Sequence, residues 1–235
     1  MTKKSAKLTI LLPAAFVLMS AVLFAQAPDP QQIIDKVKAA FDKVKDYEVD
    51  VSIKIEVDFM DVPDGTAKIY FKQPDKVTIK SKDFALMPRE GLNFSPASLL
   101  KGKYTAVWVR EESLSGFATH QIKIVPLDNN SEFILSTIWV DKYSFVIRKV
   151  ETTTKAQGTF SMTMTYPLVI KYPLPSTMSL YFDIKQGGMM KNMPGKKKKG
   201  QIMPAPQAKQ GKVFITYMNY KVNRGLSDSL FEEKK

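Results

Sequence analysis

The chain of 235 residues has no cysteine and one histidine, His120. Without cysteine there are no disulfides, no thiol nucleophile and no lipid-modified cysteine of a lipoprotein. A lone histidine with neither a second histidine nor a cysteine beside it excludes a typical zinc site. His120 sits inside an alternating stretch and reads as an ordinary strand residue. Also missing are a Gly-x-Ser-x-Gly elbow, a phosphate-binding glycine loop and a dinucleotide fingerprint. The acid pairs Glu111-Glu112 and Glu232-Glu233 fall at turn-like or terminal places and read as solvated. These absences predict a protein that is not an enzyme, with no catalytic residue, no cofactor and no bound metal.

Long apolar runs are also scarce. The one present, Leu8 to Phe24, follows Lys3, Lys4 and Lys7 and ends at Ala25-Gln26-Ala27. A positive start, an apolar centre and a small-x-small end form a secretory signal, with cleavage expected after Ala27. The run contains Pro13 and falls short of the roughly 18 apolar residues expected of a membrane anchor. Residues 1–27 are therefore read as a cleaved signal peptide and residues 28–235 as one exported domain. In a diderm bacterium that places the protein in the periplasm, soluble and monomeric.

The net charge of +12 is local. Lys3, Lys4 and Lys7 leave with the signal, and eight more lysines lie between Lys185 and Lys212 with no acid among them. The rest of the chain is near neutral, unlike a nucleic-acid binder, which is basic over a whole face. The 186–211 stretch also holds five glycines, three prolines and four methionines. It reads as a mobile hairpin loop. Its Lys196, Lys197, Lys198 and Lys199 suit an anionic membrane surface at about 1 kcal/mol each.

The rest is patterned. Asp29 and Pro30 begin a helix whose Ile33, Ile34, Val37, Phe41 and Val44 form one apolar stripe, with Gln32 placed as in a capping box. From Val49 to Phe59 apolar and polar residues alternate, which sets six apolar side chains on one sheet face. Pro63-Asp64-Gly65 turns the chain. Strands are expected at 66–71, 76–81, 104–110, 117–125, 132–140, 144–154, 159–166, 177–184 and 213–222, with one short helix at 95–100. Ten short antiparallel strands after one helix predict a mainly β fold: a barrel, a sandwich or an open curved sheet.

This order resembles the periplasmic lipoprotein-sorting carriers, the LolA-like family. Ile69-Tyr70-Phe71-Lys72-Gln73-Pro74-Asp75-Lys76 is similar to its aromatic, basic, proline strand-turn-strand segment. Trp139-Val140-Asp141-Lys142 is similar to its strand-to-hairpin step, and Tyr220 to Asp228 with Phe231 to its Asn-x-Gly-x-x-Asp-x-x-Phe ending. The resemblance implies an unclosed antiparallel half-barrel of ten to eleven strands, with the N-terminal helix and short helices over a concave apolar face. It implies a carrier of lipoprotein or lipid acyl chains toward the outer membrane. Transfer machinery at the inner and outer membranes would be its partners; nucleic acid would not. The alternative on the same scaffold is an envelope-stress sensor or regulatory lipid-binding protein.

Residues expected to line such a hollow are Val51, Ile53, Ile55 and Val57. Trp108, Phe133, Leu135, Trp139, Met162, Met164, Leu180 and Phe182 are candidates from the later strands, where alternation alone does not tell which face is concave. Val37 and Phe41 are candidates for a lid. A packed core would show the same pattern.

Overall fold

Asp29 caps the first helix, its carboxylate accepting from the Gln31 backbone N–H at 2.9 Å, and Pro30 takes the first helical position. The missing N–H of proline costs nothing there. Helix α1 (Pro30–Phe41) ends where Asp42 donates its backbone N–H to the Lys38 carbonyl. Ile33, Ile34, Val37 and Phe41 are its buried side. Val44, expected on the same stripe, lies past the helix end and is also fully buried.

The computed structural model describes residues 27–57, 60–81, 100, 102–128, 130–155, 158–184, 196–197 and 209–232. All but the last residue of the signal segment, most of the expected 95–100 helix and most of the 186–211 loop lie outside these.

Ten long strands follow α1: β1 (Asp46–Val57), β3 (Gly65–Lys72), β4 (Lys76–Lys80), β5 (Tyr104–Leu114), β6 (Phe117–Pro126), β7 (Phe133–Asp141), β8 (Ile147–Thr154), β9 (Gly158–Thr165), β10 (Thr177–Ile184) and β12 (Lys209–Val222). Two short ones, β2 (Met60–Asp61) and β11 (Lys196–Lys197), pair with each other. All belong to one antiparallel sheet in which β5 to β10 run in chain order, β12 lies between β10 and β1, and β3 joins β1 to β4. Among the described residues, β4, β5 and the two-residue β11 are its open edges. The fold is the unclosed half-barrel that the resemblance implied.

Several boundaries shift for local reasons. Strand β5 runs through Glu111-Glu112, which pair with His120 and Thr119 of β6. The acid pair is therefore in a strand and not in a turn. The β5–β6 hairpin closes on Ser115 and Gly116, both at positive φ, as a tight two-residue turn requires. Strand β8 starts three residues later than expected. Here the Asp141 carboxylate accepts from the Tyr143 and Ser144 N–H groups and folds the chain into a turn.

Register shifts interrupt the ladders near Val109, Ile134, Arg148 and Asn219. An extra residue in one strand switches which parity faces the core. In β12 the inward residues are Val213, Ile215 and Tyr217 before the shift, and Tyr220 and Val222 after it. Asn219 sits at the shift with φ 57°. Asparagine tolerates this left-handed conformation better than most residues.

The core has two parts. The larger joins Ile33, Ile34 and Val37 of α1 to the inner sheet face, including Val51, Ile122, Ile138 and Val150. The smaller joins Phe41 and Val44 to Phe71 and Leu174, with Tyr47 stacked on Phe71 at 5.1 Å.

Candidate functional site

The concave face is the candidate site. Val51, Ile53, Ile55 and Val57 of β1 point into it and are all buried. Met162 and Met164 of β9, and Leu180 and Phe182 of β10, lie on the same face and in the same core. Trp108 packs against this core half-buried, and its indole N–H donates to His120 Nδ1 at 3.4 Å.

Strand β7 departs from expectation. Its inward residues are Ser136, Ile138 and Val140, so Leu135 and Trp139 face the convex side. Trp139 is nevertheless buried: Lys149 lies 4.4 Å over its ring, and its indole N–H donates to the Glu112 carboxylate. Two candidates for the hollow are thus on the wrong face of the sheet. The register shift at Ile134 returns Phe133 to the face of Thr154, where it is half-buried and outside both cores.

The lid candidates separate as well. Val37 belongs to the large core over the concave face, whereas Phe41 belongs to the small core. The chain after Phe41 is held by the C-terminal segment. Asn223 accepts from the Lys45 N–H at 2.7 Å and donates to the Lys43 carbonyl at 2.8 Å. The buried Asp46 carboxylate accepts from the N–H groups of Arg224 and Gly225 at 2.8 and 2.9 Å. Lys72 and Lys76 pair with Asp228. The Asn-x-Gly-x-x-Asp ending thereby clamps the junction of α1 and β1. Gly225 is at φ 75°, which glycine adopts at least cost.

Elsewhere α1 is held mainly by apolar contact. Among the described residues, its polar ties are Lys38 Nζ to Tyr104 Oη at 3.0 Å and Lys36 Nζ over the Phe145 ring at 4.7 Å. The helix is fixed at its C-terminal end and lies over the sheet along the rest.

Among the described residues, several polar groups lie on the inner side. Ser136 and Thr152 share a buried hydrogen bond of 2.9 Å. Burial pushes the hydroxyl pKa values of Tyr47, Tyr166, Tyr217 and Tyr220 up. Burial also holds the His120 imidazole below its ordinary value, with Lys142 and Lys36 acting the same way and Glu111 opposing. Among the described residues, no three His, Asp or Glu side chains are placed to hold a metal ion. No helix there is long and apolar enough to cross a membrane.

A cavity of about 250 Å³ opens at the far ends of β9, β10 and β12. Phe160, Phe182 and Gly211 line it, with Tyr181, Glu151 and Lys212 at its polar side. Phe182 lies across Gly211, where a Cβ would meet the ring at 2.5 Å. Beside the end of β1, β11 sets Lys196 and Lys197 against Asp61 and Met60. Lys198 and Lys199 lie outside the described residues.

Ile122 and Ile124 of β6 were not singled out as lining residues, although both point inward and are buried. Their alternation around Lys123 carried the signal.

Solved structures share this architecture. A LolA superfamily protein from Nitrosomonas europaea is 13% identical and superposes with a TM-score of 0.60 over 88% of this chain and 99% of its own. A DUF1329 family protein from Desulfovibrio piger is 12% identical, with a TM-score of 0.58 over 87% and 98%. An outer-membrane lipoprotein-sorting protein domain from Vibrio parahaemolyticus is 13% identical, with a TM-score of 0.50 over 85% and 94%. No curated protein matches the sequence. A family model described as "Uncharacterized protein" matches residues 93–235, from just before β5 through β12 to the end. The chain belongs to that family, and its fold is that of the LolA superfamily.

Proposed function

We propose that the protein is an exported carrier that holds the acyl chains of a lipoprotein or lipid against the concave face, beneath α1, for transfer toward an outer membrane. One observation carries this reading. Among the described residues, one amphipathic helix, clamped at one end, packs on an apolar sheet face with Ile33, Ile34 and Val37. Lifting α1 would open the core that it shares with Val51, Ile53, Ile55, Val57, Met162, Met164, Leu180 and Phe182.

The energies favour reversible exchange. Burying the three helix side chains is worth about 1.5–3 kcal/mol each, roughly 5–9 kcal/mol together. A dozen acyl methylenes at about 0.8 kcal/mol each gain roughly 10 kcal/mol, less the ordering of the chain. The two terms are of one size, so a ligand can displace the helix and the helix can expel the ligand. No reactive group is needed. Lys196–Lys199 would meet anionic headgroups during transfer.

The test is native mass spectrometry and lipid extraction of the protein isolated from a cell envelope. Stoichiometric acyl adducts are expected. They should be lost in Ile55→Glu and weakened in the milder Met164→Gln, provided each variant keeps its thermal transition. A clean apo mass that persists after phospholipid or lipopeptide is added would refute the carrier reading and leave a regulatory role on this scaffold.

A further inference from the structure

The sheet has one end at which the β5–β6, β7–β8 and β9–β10 connections gather, because these six strands are antiparallel neighbours in chain order. One guanidinium ties the three together. Arg148 is buried, pairs with Asp141 at 2.7 Å, and lies 3.3 Å over the Phe117 ring and 5.9 Å from that of Tyr166. These partners stand at the start of β6, the end of β7 and just after β9, beside the three connections.

The outer side of this assembly is apolar. Leu168 and Val169, at the apex of the β9–β10 connection, are 105% and 84% exposed; Tyr143 is 80% and Phe117 45% exposed. The base of the same connection is fixed. Tyr166 Oη donates to the Ile147 carbonyl at 2.8 Å, Leu174 is buried in the small core, and Tyr220 Oη donates to the Pro175 carbonyl at 3.0 Å. One leucine of the segment is drawn inside while its neighbour six residues earlier is displayed. The display is a feature of an anchored loop.

Within residues 115–117, 142–146 and 166–176 the only charges are Lys142 and Lys171. Lys142 is matched by Glu111, and Lys171 lies by the Tyr172 ring. Leu168 and Val169 are followed in the same connection by Lys171 and Tyr172, and Phe117 and Tyr143 are exposed at the same end of the sheet. Those are the residue types that suit a bilayer interface, with acyl chains deepest, tyrosines at the headgroups and lysine at the phosphates.

We propose that the Leu168–Val169 apex is a membrane-contact tip that enters the interface of an anionic bilayer, with Tyr143 and Phe117 beside it and Lys171 toward the phosphates. This contact lies at the opposite end of the sheet from Lys196–Lys197, which neighbour the far end of β1. It does not depend on what the concave face holds. With so small an apolar tip, binding is weak and reversible.

The experiment uses the protein as processed by the cell, with vesicles of phosphatidylethanolamine and phosphatidylglycerol. In Leu168→Trp, the new indole should shift to shorter emission wavelengths on vesicles and be quenched by brominated acyl chains. Leu168→Asp with Val169→Asp should lower partitioning by about ten-fold or more, while keeping the thermal transition and any acyl adducts. Replacing Lys196–Lys199 with glutamine in the Leu168→Trp protein should leave the quenching of its new indole in place. An indole there that neither shifts nor is quenched would overturn the proposal. So would partitioning that the double aspartate variant leaves unchanged. Concentration-dependent self-association lost in that variant, with no vesicle binding by the parent, would instead assign the patch to contact between copies.

Discussion

Shortening Ile34 to alanine should weaken the fold and strengthen acyl binding at once. Ile34 is fully buried and lies in the core that α1 makes with the concave face. Truncating a buried isoleucine costs about 2–5 kcal/mol, transfer and cavity together. If ligand and helix compete for one face, the bound state has already given up that contact and does not bear the cost. Apparent affinity then rises as the open form becomes more populated, and stops rising once that form dominates. A cost of about 2 kcal/mol corresponds to roughly 30-fold in affinity. The assay pairs urea denaturation with titration of a fluorescent fatty acid into delipidated protein. The expected result is a lower urea midpoint with a dissociation constant up to about 30-fold smaller. An affinity that falls together with stability, or does not change, would refute competition between α1 and the acyl chain.

Two further outcomes follow from the geometry. His120 is held neutral in the fold, its pKa lowered from 6.5 chiefly by burial. The unfolded chain therefore takes up a proton first on acidification, so this contribution to stability is complete above about pH 6.5 and is lost below it. Urea midpoints at pH 7.5 and 5.5 should differ by less in His120→Gln than in the parent, and an equal difference would contradict this. Gly211→Ala should cost about 1–3 kcal/mol by overpacking against the buried Phe182 ring, which a Cβ would meet at 2.5 Å. Combining it with Phe182→Leu should recover part of that loss in a double-mutant cycle, and simple additivity would show that the ring is not the obstacle.

What the sequence disclosed depended on how cleanly each segment alternates. Residues 49–57 have apolar side chains at every odd position and polar ones between, so one face of β1 followed directly from period two. The stretch Phe133–Asp141 has apolar residues at both parities, and nothing local favoured Ile138 and Val140 over Leu135 and Trp139. Trp139 misled because a large aromatic suggests a core. Its burial comes instead from Lys149 and Glu112 on the convex side, a cross-strand contact visible only once β5 to β8 are in register. The shifts at Val109, Ile134, Arg148 and Asn219 each reverse parity within a strand, and none is marked by glycine. The clamp on α1 was present in the sequence as the family-like ending from Tyr220 to Asp228. Its physical role needed the partners Lys43, Lys45 and Asp46, nearly 180 residues away.

The place of β12 has a consequence for how the molecule assembles. Strands β5 to β10 form by successive local hairpins, and β1, β3 and β4 form another such meander. Among the described residues only β12 links the two groups, pairing Val51 with Tyr217 and Leu180 with Val213. Until it is in place the chain is two separate curled sheets, each with an unsatisfied edge. Such distant pairings form slowly, and unpaired edges invite aggregation while they wait. During synthesis from the N-terminus, the edges of β1 and β10 that β12 covers stay open until β12 arrives, which makes the closing of β12 the step most in need of a holding factor.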